Sequence, residues 1–150
     1  MTRSTDIPAA GSTLEHDVYL ALQRLSLRLR DETEEVFKAQ GLSSTQFNVL
    51  RILRGAGDQG LTCGEIGARL INKDPDVTRL LDRMEKHGLV ERARSEQDRR
   101  VVLTRLSGRG RDLVGHFDGP LSELHGRQFA HLEPEQLQAL LALLQGAPTA

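Results

Sequence analysis

The sequence predicts a mainly α-helical fold with one small β-wing. Three observations predict it. Apolar residues recur at three- and four-residue steps through most of the chain, two short capped helical stretches are joined by a tight turn, and two short β-type runs flank a polar, arginine-bearing connection. The length of 150 residues suits one domain, and a hydrophobic content of 38% is enough for one core. No apolar run reaches the roughly 18 residues of a membrane span. The first dozen residues are small and polar, so no secretory leader is expected. Cys63 is the only cysteine, which excludes a disulfide framework and a four-cysteine zinc site. The expectation is a soluble, cytoplasmic protein.

Residues 1–12 read as a loose tail. Thr13 caps a helix starting at Leu14, with Leu14, Val18, Leu22, Leu25, Leu29 and Val36 at helical spacing and Gly41 as the stop. Tyr19, Leu20 and Leu27 widen its apolar face beyond what one partner surface needs. Ser43 and Gln46 have capping-box spacing, and Phe47, Leu50 and Leu53 form the inner face of the next helix. Gly55, Gly57 and Gly60 end it. Thr62 and Glu65 make a second capping box before a short helix with Ile66 and Leu70 inside, and Asn72 and Lys73 form a turn. Asp74 then caps a helix with Pro75 at its first position and Gly88 as its stop. Val77, Leu80, Leu81 and Met84 face inward. Two short helices across a tight turn read as a helix-turn-helix.

Leu89–Arg94 and Val101–Arg105 are the strands of the wing, and Ser95–Arg100 connects them. Ser107 restarts helix, with Leu113, Phe117, Leu121, Leu124, Gln128 and Leu132 at helical spacing. A kink is expected at Gly119 and Pro120. Pro134 opens a last helix with Leu137, Leu140, Leu141 and Leu144 on its apolar side, and Gly146 ends it.

Net charge is −1, but the charge is unevenly placed. Thr62–Arg111 holds 12 basic and 8 acidic residues, while the rest is acidic overall. Seven arginines lie in Arg92–Arg111 against Glu96 and Asp98. A basic stripe on an acidic body suits a polyanion at one surface. The few aromatics are scattered away from the arginines, which argues against a single-strand stacking platform. The outward face of the second short helix holds Asp76, Arg79, Arg83 and Lys86, with Thr78 at its edge. Such groups suit base edges and phosphates, and an isolated helix would equally carry them as a solvated face. Arg92 and Arg94 alternate on the first wing strand and could meet phosphates. Cys63 reads as a small helix-start residue. His16, His87, His116, His125 and His131 form no pair at ligand spacing. No nucleophile elbow, phosphate loop or metal motif points to an enzyme, a metal or a cofactor.

The stretches DVTRLLDRMEKHGLVER, Asp76 to Arg92, and DRRVVLTRLSGRG, Asp98 to Gly110, closely resemble the MarR family of bacterial transcription regulators. The resemblance covers nearly the whole chain past the tail. It implies a winged helix-turn-helix over 42–106 that binds double-stranded DNA at a pseudo-palindromic operator. It also implies a homodimer built from 13–41 and 107–146, and a repressor relieved by a small molecule or oxidant. The recognition helix would use Pro75, Asp76, Thr78, Arg79 and Arg83, and the wing Arg92, Arg94, Asp98, Arg99 and Arg100. Asp98 would orient Arg100 into the minor groove. His16, Tyr19, Phe47 and Phe117 are candidates for an effector pocket. The leucine faces, too broad for one small domain, support a dimer independently, because burial against a symmetry mate would satisfy them. Its reading helices would then sit roughly one duplex turn, 34 Å, apart. A winged helix serving as a protein–protein module is the alternative, favoured by the near-neutral pI alone.

Overall fold

The computed structural model describes residues 12–146, so the expected tail lies outside the described residues except for Ser12. Helix α1 (Leu14–Lys38) starts where the Thr13 hydroxyl accepts the His16 N–H. It buries only Phe37. Leu14, Val18, Tyr19, Leu22 and Leu27 remain exposed. The leucine periodicity therefore made a helix whose apolar face is only partly covered by the described residues.

Helix α2 (Ser44–Ala56) opens on the expected capping box between Ser43 and Gln46 and runs through Gly55. It is the central element. Val49, Leu50 and Leu53 are buried on it, and Phe47 stacks on Phe37 with ring centroids 4.4 Å apart. Phe117 meets both rings edge-on at 5.2 and 5.6 Å. A short 3₁₀ turn, Gly57–Gln59, leads to α3 (Cys63–Arg69), where the Thr62 hydroxyl accepts the Glu65 N–H. Glu65 in turn accepts the Thr62 hydroxyl proton. Ile66 and Leu70 are buried as expected.

Helix α4 (Val77–Lys86) begins two residues later than the sequence suggested. Asp74 is not the cap, because its carboxylate accepts the Asp76 N–H inside the turn. Asp76 is the cap, accepting the Arg79 N–H, and Pro75 stands ahead of the helix rather than in its first turn. Leu80, Leu81 and Met84 are buried. Strands β1 (Val90–Arg94) and β2 (Val102–Leu106) pair antiparallel, from Val90 with Leu106 to Arg94 with Val102. Leu61 adds a single bridge to Thr104 on the other edge of β2. That pairing left no mark in the sequence, because one residue has no periodicity.

Helix α5 (Gly108–His116) is capped by Ser107. The expected kink at Gly119 and Pro120 lies instead at Phe117, where the chain breaks before α6 (Asp118–Gln128). Pro120 has no N–H for the His116 carbonyl, so the missing bond falls one turn ahead of the proline. The break seats Phe117 in the core. Arg54 donates to both carboxylate oxygens of Asp118, at 3.1 and 3.0 Å, tying the end of α2 to the start of α6. Helix α7 (Pro134–Gln145) starts at its proline and leaves Leu141, Leu143 and Leu144 exposed. No helix among the described residues is long and apolar enough to cross a membrane.

One close approach fixes how the wing root meets α5. A Cβ on Gly110 would stand 2.0 Å from the Leu89 carbonyl oxygen, which is backbone and cannot swing aside. Gly110→Ala is expected to destabilise the fold by about 1–3 kcal/mol, the usual range for overpacking. A denaturant midpoint equal to wild type would contradict this.

Candidate nucleic-acid interface

The surface that could meet a polyanion is built from α4 and the wing. The α4 burial pattern turns Leu80, Leu81 and Met84 inward, so Arg79, Arg83 and Lys86 are exposed. None of these three makes an ion pair among the described residues. Thr78 is exposed at the first turn, with its hydroxyl 3.4 Å from the Cys63 sulfur of α3. Asp76 is exposed too, but its carboxylate is engaged in capping α4. Its negative charge at the helix start serves the backbone dipole.

The wing presents a different set. Asp98 accepts from Arg100 twice through Oδ1, from the backbone N–H at 3.1 Å and from Nε at 3.2 Å. The Arg100 side chain is nevertheless 92% exposed, so the contact aims the guanidinium outward without covering it. Arg99 lies beside it, exposed. Its carbonyl accepts from Arg94 Nη1 at 2.7 Å. Arg94 thus braces the connection between the strands while its own side chain stays at the surface.

Arg92 departs from the expectation of a phosphate contact. Its side chain is only 22% exposed and is turned back onto α4, where Nη2 donates to both Asp82 and Glu85. The Glu85 hydrogen bond, followed by that of Asp82, raises the Arg92 pKa above its ordinary value. The same Arg92 hydrogen bond holds the Glu85 carboxyl below the usual glutamate range. Asp82 would otherwise suit an i,i+4 pair with Lys86. Arg92 instead takes up the two carboxylates of α4, which leaves Arg79, Arg83 and Lys86 unneutralised. It also ties α4 to the wing strand, an arrangement visible only in three dimensions.

The four residues expected to line an effector pocket do not come together. His16 and Tyr19 are exposed near the start of α1, 6.4 Å apart between ring centroids. Phe47 and Phe117 belong to the aromatic core. Sequence periodicity marked all four as apolar or aromatic but could not say which helices meet. A cavity of about 630 Å³ lies instead between α1, α2, α6 and the turn after α3. Phe47 lines it; His16, Tyr19 and Phe117 do not. Phe37, Leu121 and Phe129 supply further apolar wall, and Asn48, Arg51 and His125 supply polar groups. No Asp or Glu is among its lining residues. Among the described residues no cluster of three or more His, Cys, Asp or Glu is placed to hold a metal ion.

Comparison with known proteins gives a consistent family. A model described as the MarR family matches residues 42–102. The HTH-type transcriptional repressor MdtR of Bacillus subtilis is 34% identical over 141 residues, covering 87% of this chain and 90% of the relative. The crystal structure of a MarR transcription factor from Planctomyces limnophilus is 36% identical, covers 91% of this chain and 98% of its own, and superposes with a TM-score of 0.69. S. aureus MepR, solved in a DNA complex, shares the fold with a TM-score of 0.76 at 24% identity, over 89% of this chain and 95% of its own.

The link between α4 and the wing is expected to weaken in acid. A carboxyl with a lowered folded-state pKa adds stability above its unfolded pKa and loses it as pH falls through the folded value. Wild type is therefore expected to be more stable than Glu85→Gln at neutral pH, with the gap closing below the ordinary glutamate range. Denaturant midpoints of both proteins between about pH 7 and pH 3 test this. A gap that is flat or widens in acid would contradict it.

Proposed function

The chain belongs to the MarR family, and from that premise we propose that it is a homodimeric, sequence-specific regulator of transcription that binds double-stranded DNA and is released by a small-molecule effector. The observation that carries this is the Arg100 guanidinium, aimed outward by Asp98 at the tip of a wing beside a helix with unpaired Arg79 and Arg83. A guanidinium of that kind suits the negative potential of a narrow minor groove. Arg79, Arg83 and Thr78 suit the adjacent major groove. Arg94 and Arg99 are placed for backbone phosphates, and Arg92, Asp76 and Pro75 hold the reading elements in position.

Residues 42–106 form the DNA-reading region in this proposal. Residues 13–41 and 107–146 form the dimerisation region. The exposed apolar residues of α1 and α7 are its contact faces, since such a row would otherwise lie open to water. A twofold mate makes the partner a pseudo-palindromic operator. Repression follows the B. subtilis relative. A cytoplasmic site of action, at the nucleoid when bound, accompanies that role, and no enzymatic activity is proposed. The effector site is the cavity between α1, α2 and α6, which keeps Phe47 of the expected set and not His16, Tyr19 or Phe117. Its apolar walls, with Arg51 and no carboxylate, suit a small organic anion with an apolar body.

Binding to the duplex upstream of the chain's own coding sequence tests the proposal. Affinity is expected to fall steeply with salt. Arg100→Ala should weaken it about tenfold or more and reduce the salt slope by about 1, with the dimer intact by sedimentation. Sequence-independent binding, or an unchanged affinity for Arg100→Ala, would remove the minor-groove role. Arg92→Ala should weaken binding as well, through loss of the α4–wing tie, and its thermal stability should fall in parallel. Full affinity in Arg92→Ala would show that the tie does not position the reading elements.

A further inference from the structure

Resting on the effector reading above, we propose that Asn48 is the positioning residue that carries occupancy of the cavity to the helix-turn-helix. Asn48 sits on α2 and is 7% exposed. Its Oδ1 accepts the backbone N–H of Ile71 at 3.0 Å. Its Nδ2 is buried and has no hydrogen-bond partner among the described residues. The assignment of the two amide atoms is fixed by chemistry, because the reverse orientation would set an NH₂ against the Ile71 N–H. A buried donor left unmade costs roughly 1–3 kcal/mol. The Ser44 hydroxyl, one helical turn earlier, is in the same state. Both residues line the cavity.

The unmet Asn48 Nδ2 donor, with Arg51 beside it, a Ser44 hydroxyl free to donate and no acidic lining residue, suits a ligand that brings acceptors. A carboxylate or phenolate on an apolar ring fits. Ile71 is the other end of the connection. It follows Leu70 directly at the end of α3 and lines the same cavity. Only the turn from Asn72 to Asp76 separates it from α4. An acceptor on Nδ2 polarises the Asn48 amide and strengthens Oδ1 as an acceptor for Ile71. The ligand thereby pins the turn against α2. Any DNA-competent arrangement that needs the turn to move then loses ground, which is the differential affinity that an effector requires.

The test uses the full chain, with benzoate as the probe and amide hydrogen exchange read by NMR. Saturating benzoate is expected to slow exchange at Ile71 about fivefold or more while leaving the wing amide of Leu103 unchanged. Arg51→Gln should bind benzoate more weakly yet show the same slowing at saturation. Asn48→Asp keeps the acceptor for Ile71 but lacks the donor, and should lose both the slowing and the effect of benzoate on duplex affinity. Benzoate that shifts the resonances of His125 and Phe129 but leaves Ile71 exchange unchanged would overturn the role of Asn48 and leave the effector site standing. No shift at any soluble concentration of benzoate would overturn both.

Discussion

The meeting of three elements at Leu89 is the constraint on which the rest depends. The Leu89 N–H donates to the Met84 carbonyl at the end of α4, and its own carbonyl accepts from Ser107 at 3.2 Å. Gly110 on α5 approaches that carbonyl so closely that no side chain fits between them. The Ser107 hydroxyl donates to the Gly88 carbonyl and accepts from Gly110. Gly88 takes the left-handed conformation that the reversal needs, at φ 74°. The end of α4, the root of the wing and the start of α5 are thus joined through main-chain atoms and the Ser107 hydroxyl. Main-chain contacts do not relax as side chains do, so these three are held together at this junction.

Onto that frame the charges are placed with a clear division of labour. Arg92 and Arg94 face inward tasks, one on α4 and one on the wing connection. Arg100 faces outward, paired among the described residues with Asp98. Exposed ion pairs contribute little to stability. Their effect here is on the field: the carboxylates of α4 are occupied by Arg92, so the outward cations Arg79, Arg83 and Lys86 are left without a neutralising partner among the described residues. A chain with a net charge of −1 can therefore still present a cationic surface.

The cavity completes the picture from the opposite side of α2. One face of that helix carries Val49, Leu50 and Leu53 into the core, and Asn48 and Arg51 line the cavity. Helix α2 touches α1, α3, α5 and the wing strand β2. Like α5, which touches α6 and β2, it is in contact with both the helical body and the wing. In the proposed reading, a ligand against α2 would act where the two already meet, without a separate transmission path.

The sequence by itself determined the elements and their order. Caps at Thr13, Ser43, Thr62 and Ser107 depend on residues within three positions, and so does the Asp98–Arg100 contact, so each could be read locally. The alternation of Arg92 and Arg94 was also legible, but not that Arg92 turns toward Asp82 and Glu85, because that depends on how β1 packs against α4. Asp74 ahead of Pro75 was read as the cap from local spacing alone. The turn geometry chose Asp76. Only tertiary structure decided where the aromatic residues went. Phe47 and Phe117 are 70 positions apart and meet in the core, whereas Tyr19 shares the same helical pattern and stays exposed. Periodicity reports which residues share a face, and only the packing of several helices decides what that face meets.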